Sequence, residues 1–377
     1  MNKNRIVIWG TGAPSLQIYY CINDADKNSL IIMENNKERR ENALNFGVKA
    51  YALKDIALEE VALFIIPTYG INQEKHLRRQ LVRKGLQSDR ILVISPKAFR
   101  MEMAEHKSLS ALIEHRKNKA LYINSLEFEV AHHCNLNCKG CNHFSSLSQE
   151  GYADLSQFSR DLERILGLVD HVGEIRLLGG EPLLNPQLYR FIEEARRIDP
   201  LDPVEVWTNG LLLLAAPERL FDVMKECRAA FMITVYPPVR KKFPEIKKRL
   251  DMQGVKYKVF NEVDRFNGQI NPDGDSDPEL AESVCFSSEC HIFENGFLTK
   301  CSVAHKLEVY LESFGLPKPE EEYKLDLYDK DLDPQKLTDY LLDPIPLCRY
   351  CGRWRLFNWE QALPEPFKED WYCSSKY

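Results

Sequence analysis

Short apolar runs alternate with segments of helical periodicity along most of the chain. Within residues 1–96, this pattern predicts strands at 6–9, 30–33, 61–67 and 90–94, and helices at 15–21, 37–46 and 73–84. The apolar runs are too short to be buried helices, and helix-like segments separate them. Strands that alternate with helices predict a parallel α/β sheet.

The same alternation continues from residue 125 to residue 260. Strands are predicted at 125–131, 175–178, 204–208, 230–235 and 256–260, and helices at 156–169, 187–198, 217–227 and 243–252. Asp154 is the predicted N-cap of the helix at 156–169. Repeated βα units with motifs at the carboxyl ends of their strands predict an open or closed α/β barrel.

The chain has 377 residues, a length that suggests two or three domains. We predict a Rossmann-like α/β domain at 1–96, a charged linker helix at 97–120, a partial α/β barrel at 121–275 and a cysteine-rich domain at 276–377. The last part contains six of the eleven cysteines. Cysteines in this number indicate metal binding in an intracellular enzyme and disulfides in a small secreted domain.

Charge and hydropathy narrow the class of protein. The net charge of −6 and the pI near 5.9 give no reason to expect nucleic acid or an anionic membrane as partner. No stretch approaches the roughly 18 apolar residues of a spanning helix, and residues 1–5 lack the layout of a signal peptide. We therefore expect a cytoplasmic enzyme.

Cys134, Cys138 and Cys141 form a C-x3-C-x2-C pattern directly after an apolar run. A [4Fe–4S] cluster is normally held by four cysteines, so three leave one iron open to a ligand that is not protein. An open metal position is a reaction site, by the logic that separates catalytic from structural zinc. The spacing differs from the paired C-x2-C of zinc ribbons. The alternative is a coincidental group of free thiols.

Two further motifs follow the cysteines. Gly179-Gly180-Glu181-Pro182 comes after the strand at 175–178, and Trp207-Thr208-Asn209-Gly210 ends the strand at 204–208. The glycines allow a close approach of the backbone to a ligand, and Glu181 can accept a charge-assisted hydrogen bond from an ammonium group. Taken alone, Gly-Gly-Glu-Pro would be an ordinary turn. Its place after a strand and downstream of the cysteines favours a binding site.

The three motifs, in this order, resemble the radical S-adenosylmethionine (SAM) superfamily. The resemblance implies a partial (β/α)6 barrel, a [4Fe–4S] cluster and SAM. It also implies metal ligands at Cys134, Cys138 and Cys141, and cofactor-binding residues at Gly179, Gly180, Glu181, Pro182, Thr208, Asn209 and Thr234. The family usually has an aromatic residue just before the third cysteine. Gly140 occupies that position, and Phe144 is the predicted substitute.

The C-terminal cysteines resemble the twitch/SPASM-like auxiliary-cluster extensions of the same family. The one-cluster form uses four cysteines, which correspond to Cys285, Cys301, Cys348 and Cys351. We therefore expect one auxiliary [4Fe–4S] cluster, with a zinc site on the same thiolates as the alternative. Cys290 is a candidate catalytic thiol that returns a hydrogen atom to a substrate radical, and the alternative is a structural role.

The glycines of the first predicted turn, Gly10 and Gly12, precede Glu34 by about twenty residues, as in a dinucleotide-binding start. The third glycine of that fingerprint is missing, and Pro14 stands where the helix begins. A bound nucleotide, a docking module and a substrate-recognition module remain open for this domain.

The resemblance implies reductive cleavage of SAM and a 5′-deoxyadenosyl radical. We expect it to oxidise, dehydrate or epimerise a polar small molecule, a sugar or a nucleotide-linked sugar. A flavodoxin or ferredoxin is the expected electron donor. The alternatives are a peptide-modifying enzyme and, in another class, a non-catalytic iron–sulfur or zinc scaffold.

Overall fold

The computed structural model describes residues 5–22, 27, 29–45, 47–67, 73–87, 90–94, 96, 99–100, 103–104, 108–115, 123–169 and 172–377. By their contacts these residues form two compact units. The first unit comprises the described residues of 1–122, 168–171 and 333–343, and the second comprises 123–167, 172–332 and 344–377. Each unit is built around its own sheet.

The sheet of the first unit is parallel, with the strand order β3-β2-β1-β4-β5. Its strands are β1 (Arg5–Trp9), β2 (Leu30–Met33), β3 (Ala50–Tyr51), β4 (Val61–Pro67) and β5 (Ile91–Ile94), and its helices are α1 (Ala13–Cys21), α2 (Lys37–Leu44), α3 (Gln73–Arg83) and α4 (Leu109–His115). Leu63 and Ile65 face one apolar cluster, and Phe64 and Ile66 face the other. Successive strand residues point to opposite faces, so a sheet covered on both sides needs an unbroken apolar strand.

The predicted α/β fold class is confirmed. Strands 30–33 and 61–67 have the predicted bounds, and β3 was not predicted because two residues carry no periodic signal. Of the predicted linker helix at 97–120, most residues lie outside the described part of the chain, which contains α4 (Leu109–His115).

The second unit contains an eight-stranded sheet that begins with five parallel strands in chain order. These strands are β6 (Ser125–Ala131), β7 (Ile175–Gly179), β8 (Val204–Thr208), β9 (Ala230–Val235) and β10 (Lys256–Glu262). The accompanying helices are α5 (Leu155–Leu168), α6 (Leu188–Ile198), α7 (Glu218–Glu226), α8 (Pro237–Arg240) and α9 (Phe243–Gln253). Asp154 Oδ1 accepts a 2.7 Å hydrogen bond from Gln157 N, as an N-cap of α5 does.

Helices α5 and α6 cover one face of β6. The ring of Phe128 lies 4.6 Å from that of Phe158 on α5 and 5.9 Å from that of Phe191 on α6. Because side chains alternate along a strand, Glu127 and Glu129 point to the opposite face, which we call the inner face. Both glutamates are nonetheless buried.

Most of the remaining chain adds to this sheet and builds a smaller one, whereas residues 333–343 belong to the first unit. In chain order the elements are β11 (Arg265–Ile270), α10 (Pro278–Ser283), β12 (Cys290–Glu294), β13 (Phe297–Thr299), α11 (Ser302–Ser313), β14 (Leu325–Asp326), α12 (Pro334–Leu342), β15 (Cys351–Asn358) and β16 (Ser375–Lys376). Strand β12 pairs in parallel with β6, so the large sheet has six parallel strands, and β13 and β14 extend it in antiparallel fashion. Strands β11, β15 and β16 form the antiparallel three-stranded sheet.

The sixth parallel strand lies beside the first, and it comes from residues that the sequence analysis assigned to the C-terminal domain. The domain boundary at 275/276 therefore stays a prediction.

In the part of the chain that the structure describes, no helix combines the length and the apolar character that crossing a membrane requires.

Candidate functional site

The loop that follows β6, residues 132–141, carries the three cysteines, and we call it the cysteine loop. It is held from the C-terminal segment: Lys139 N donates to Glu360 O at 3.0 Å, and Ala362 N donates to Asn137 O at 2.7 Å. Gly140 has a φ of +68°. A Cβ there would lie 2.7 Å from Cζ of Phe357, so glycine permits the close approach of this ring.

Of the three cysteines of the loop, Cys138 is buried and Cys134 and Cys141 are half-buried, and their thiols are close enough to influence one another. Burial first, and the neighbouring charges of Glu181 and Cys141 to a smaller extent, raise the pKa of Cys134 to about 12. Burial and the other two thiolates also raise the pKa of Cys138. Backbone and indole N–H groups point at sulfur, with Leu136 N 3.4 Å from Cys134 Sγ and Trp359 Nε1 3.1 Å from Cys138 Sγ. Buried thiols with such donors fit a cationic metal group that would hold them as thiolates.

Among the described residues, no three His, Cys, Asp or Glu side chains are placed to hold a single metal ion. In an iron–sulfur cluster each cysteine binds a different iron, so the ligands of a cluster are spread apart.

The segment Gly179-Gly180-Glu181 packs directly against the start of the cysteine loop. Gly180 N donates to Ala131 O at 2.9 Å, and Glu181 N donates to His133 O at 3.0 Å. A Cβ on Gly180 would lie 2.1 Å from the carbonyl oxygen of His133. Real Cβ atoms do not approach that closely, so this contact requires glycine.

The Glu181 carboxylate joins three of the predicted site residues. It accepts hydrogen bonds from Thr208 Oγ1 at 2.6 Å and from Asn209 N at 2.9 Å. The Asn209 side chain in turn donates to Asn135 Oδ1 of the cysteine loop at 2.8 Å. Glu181 is fully buried. Burial raises the pKa of Glu181 to about 7, although these hydrogen bonds oppose the shift.

A raised carboxyl pKa predicts a pH dependence of stability. The folded protein binds the Glu181 proton more tightly than the unfolded chain, whose glutamates titrate near 4.5. Stability from this group is complete below about pH 4.5 and is lost as the pH rises toward 7, by about 3 kcal/mol. We expect Glu181→Gln to remove that loss. Urea unfolding of the cluster-free protein between about pH 5 and pH 8 measures it, and an unchanged slope in the variant would contradict the assignment.

Two other predicted cofactor residues, Thr234 and Phe144, are not part of this hydrogen-bond network. Thr234 is half-buried on β9. Tyr236, just beyond β9, has its pKa raised by burial and by the three thiols of the loop, which places it close to them. Phe144 is fully buried, and its ring packs against Tyr310 at 5.3 Å and Trp371 at 5.8 Å. This placement leaves Phe144 no exposed face for a ligand, and the ring that faces Gly140 is that of Phe357.

The structure brings the four predicted C-terminal ligands together. Burial first, and the charges of Cys285 and Cys348 to a smaller extent, raise the pKa of Cys301 to about 12. Burial likewise raises the pKa of Cys351, with further contributions from the other three thiols. Cys373 lies beside this group, since a Cβ on Gly352 would be 2.5 Å from its Sγ. The auxiliary cluster stays a prediction.

Cys290 lies far from the cysteine loop. It pairs with Ser125 at the first residue of β6, whereas the loop follows Ala131 at the other end, six residues and about 20 Å away. Burial and the charge of Glu127 raise the pKa of Cys290. The structure therefore places this thiol near Glu127 rather than beside Cys134.

Sequence reasoning missed the side chains that cover the cysteine loop. Trp359 donates to Cys138 Sγ across 221 positions, and Trp371 Nε1 donates to the Cys141 carbonyl oxygen at 2.9 Å. It also missed Glu129 and Lys306, which lie 3.3 Å apart. Contacts between residues so far apart in sequence cannot be recognised from the periodicity of hydrophobic residues. The only signal for the tryptophans was their position shortly after the C-x2-C of Cys348 and Cys351.

The hydrogen bond from Trp359 Nε1 to Cys138 Sγ predicts an effect on the reduction potential of a cluster held by the cysteine loop. A hydrogen bond to a ligand sulfur favours the reduced cluster, which carries more negative charge. We expect Trp359→Phe to keep the iron content and to shift the midpoint potential of the Cys134/Cys138/Cys141 cluster to a more negative value. Redox titration followed by electron paramagnetic resonance measures the shift. An unchanged potential with full iron would show that the indole does not interact with the cluster, and Trp354→Phe is the exposed control.

The inner face of the sheet is polar and aromatic. Arg176 on β7 pairs with Glu127 at 2.8 Å and lies over the ring of Trp207 on β8, 4.4 Å from its centre. Trp207 Nε1 donates to Glu205 at 2.8 Å, and its ring lies 4.5 Å from that of Phe260. Charged groups on this face can recognise a polar ligand by hydrogen bonds.

Comparison with known proteins identifies the domain around this site. Residues 128–262 match the family model described as the Radical SAM superfamily. A GTP 3′,8-cyclase of Syntrophomonas wolfei subsp. wolfei is 29% identical over 168 residues, which cover 42% of this chain and 48% of that protein. A GTP 3′,8-cyclase of Staphylococcus carnosus is 33% identical over 109 residues, or 26% of this chain and 31% of that protein. The chain spans about half or less of the length of these curated relatives.

A solved structure also resembles this chain. The crystal structure of BtrN in complex with AdoMet and 2-DOIA matches 66% of this chain and 97% of that one, at 19% identity and a TM-score of 0.41. The fold and the buried thiols define an α/β domain suited to an iron–sulfur cluster. Residues 128–262 thus match a radical SAM domain, and this match implies a [4Fe–4S] cluster and SAM as cofactors.

Proposed function

We propose that this protein is a radical SAM enzyme that oxidises, dehydrates or epimerises a polar small molecule, a sugar or a nucleotide-linked sugar. The observation that carries the proposal is the charged inner face of the sheet, at one end of which the cysteine loop lies. Glu127, Glu129 and Arg176 are largely buried there in place of apolar residues. Polar and charged groups that converge on one face near a reactive loop support the recognition of a polar ligand.

The residues around the loop have distinct roles in this proposal. Cys134, Cys138 and Cys141 would hold the cluster, and the Gly179–Glu181 segment would position SAM at its open iron. When bound and reduced, the cluster supplies an electron that cleaves SAM to a 5′-deoxyadenosyl radical, which abstracts hydrogen from substrate. Trp359 and Trp371 cover the loop from the C-terminal side and shield it from water.

Cys285, Cys301, Cys348 and Cys351 would hold an auxiliary [4Fe–4S] cluster. Their mutual effect on pKa supports a shared site, since each thiolate is disfavoured by the others. Such a cluster would anchor substrate or accept an electron from a substrate radical. An external reductant of the flavodoxin or ferredoxin kind would reduce the cluster of the cysteine loop.

The test is an anaerobic assay of the reconstituted protein. After loading with iron and sulfide, the protein is incubated with SAM and dithionite, and 5′-deoxyadenosine is measured by liquid chromatography. We expect about eight irons per chain for two [4Fe–4S] clusters, and 5′-deoxyadenosine that depends on dithionite. About four irons with activity would remove the auxiliary cluster, and absence of any cluster would refute the proposal.

A further inference from the structure

Basic residues are concentrated between the end of β9 and the middle of α9, although the protein as a whole is acidic. Residues 237–249 contain six basic residues and one acid, Glu245, whereas the whole chain has a net charge of −6. This segment begins directly after β9, and the cysteine loop begins directly after β6. Because β6 to β9 are parallel, the start of the basic segment and the cysteine loop lie at the same edge of the sheet.

Three consecutive residues at the start of this segment, Arg240, Lys241 and Lys242, form what we call the basic patch. Lys241 and Lys242 are exposed, and among the residues that the structure describes neither has a carboxylate partner. Arg240 is half-buried and pairs with the carboxylate of Asp264. The basic patch therefore presents two positive charges to solvent that no acid of the described chain compensates.

Two residues join the basic patch to a sulfur of the cysteine loop. Asp264, the partner of Arg240, accepts at its carbonyl oxygen a 2.8 Å hydrogen bond from Trp359 N. The indole of the same tryptophan donates to Cys138 Sγ at 3.1 Å. One ion pair, two hydrogen bonds and one half-buried tryptophan side chain therefore connect the patch to a predicted ligand of the cluster.

The backbone also places the basic patch close to the cysteine loop. The carbonyl oxygen of Tyr236 accepts hydrogen bonds from Val239 N at 2.8 Å and from Arg240 N at 3.3 Å. The Tyr236 ring lies 6.5 Å from that of Trp359. Lys242 follows Tyr236 by six residues, which is about 9 Å of helical rise. The exposed lysines are therefore near the aromatic side chain that contacts the cluster ligand.

An exposed positive surface beside a redox site suits an acidic electron-carrier protein. Reductive cleavage of SAM requires an electron from outside the chain, and the expected donors, flavodoxin and ferredoxin, are acidic proteins. Complementary charges raise the rate of association of two proteins by about 10- to 1,000-fold. Electron-transfer complexes have small interfaces. A few charges at the right place are therefore enough to guide such a donor.

We propose that the basic patch is the docking surface of an acidic one-electron carrier, and that electrons enter the cluster of the cysteine loop beside Trp359. This inference rests on the proposed function and specifies where its reductant binds. In the transfer the carrier loses one electron and the cluster gains one, and no bond or proton is exchanged. The electron reaches the cluster of the cysteine loop directly, without passage through the C-terminal cysteines.

The test compares two reductants of the reconstituted holoenzyme, a limiting amount of reduced flavodoxin and an excess of dithionite. The initial rate of 5′-deoxyadenosine formation from SAM is measured with each. Flavodoxin assays are run at about 0.01 M and about 1 M ionic strength, where charges act over about 30 Å and about 3 Å. The variant is Lys241→Glu/Lys242→Glu.

A matched control makes the same change of charge elsewhere on the sheet. Lys256 and Lys330 are both exposed. Lys256 is the first residue of β10, at the amino ends of the parallel strands, and Lys330 follows β14 at the far edge of the sheet. The control is therefore Lys256→Glu/Lys330→Glu. Iron content and melting temperature are measured for every variant.

We expect Lys241→Glu/Lys242→Glu to reduce the flavodoxin-driven rate by about 10-fold or more at low ionic strength. At high ionic strength the difference from the unsubstituted protein should largely disappear, because salt screens the charges. The dithionite-driven rate should stay unchanged, since this small reductant needs no protein docking. The control should keep both rates. Should the charge-reversed protein lose iron, Lys241→Gln/Lys242→Gln, which only removes the charges, replaces it.

Four results would overturn the inference. Flavodoxin fails to support the reaction that dithionite supports, the flavodoxin-driven rate of the variant is unchanged, the control loses as much rate, or the loss does not depend on salt. A Cys348/Cys351→Ala protein that responds to dithionite but no longer to flavodoxin would also contradict direct entry. The proposed function is judged by the dithionite assay of the unsubstituted protein alone, so its failure and the failure of the docking surface are distinguishable.

Discussion

Replacement of Cys134, Cys138 and Cys141 by alanine is expected to remove about four irons per chain and to abolish formation of 5′-deoxyadenosine. The three thiols are the metal-binding groups of the cysteine loop, and burial keeps them neutral without a metal. Iron and sulfide analysis and the SAM cleavage assay measure both effects in the reconstituted triple variant.

The control for this prediction lies in the C-terminal cysteines. A Cys348/Cys351→Ala variant should also lose about four irons, but it should keep the visible absorption of the cluster on the cysteine loop. If the triple variant retained SAM cleavage, another group of residues would have to hold the reactive cluster. If both variants lost all iron, loading of the two sites would be interdependent.

Local patterns predicted the scaffold because both sheets are built from consecutive βα units. Strand 204–208 ends in Thr208-Asn209, and strand 175–178 ends in Gly179-Gly180, so parallel pairing of β7 with β8 brings these motifs to one edge. That adjacency follows from the order of the strands. The hydrogen bonds of Glu181 to Thr208 and Asn209 are its direct result.

The parts that sequence could not predict come from distant segments of the chain. Strand β12 pairs with β6 across about 165 positions, and Glu289 O accepts from Ser125 Oγ over a separation of 164. Lys306 meets Glu129 only because α11 follows β13 back over the sheet. Helical periodicity does not reveal a contact between residues so far apart in the chain.

The Phe144 prediction shows the same limit. An aromatic residue three positions after Cys141 is a reasonable substitute for one at Gly140 when only spacing is known. In the structure, Phe144 has a φ of +49° and joins the buried rings of Tyr310 and Trp371. Strand β15 instead supplies Phe357 next to Gly140, a contact between residues more than two hundred positions apart.

Gly180→Ala is expected to have a large effect on stability and on the rate of SAM cleavage. The Cβ of the alanine would lie 2.1 Å from His133 O and 2.9 Å from Cys134 N. Both atoms belong to the backbone of the cysteine loop, so a rotamer change cannot relieve the overlap. The loop or the Gly179–Glu181 segment must move. Overpacking of this kind costs about 1–3 kcal/mol of stability, and a displacement of about 1 Å in a reactive site reduces rates by about 100-fold.

The measurement compares iron content, SAM cleavage and melting temperature of Gly180→Ala with those of Gly167→Ala. Gly167 is exposed near the end of α5, and a Cβ there meets no atom within 4 Å. Alanine at that position should leave the cluster and the rate unchanged and stabilise the helix by about 0.5–1 kcal/mol. A Gly180→Ala protein with full iron and an unchanged rate would mean that the close contact between the two segments is not needed for SAM cleavage. Loss of rate with iron retained would instead locate the effect in SAM positioning, because the three cysteines would still hold the cluster.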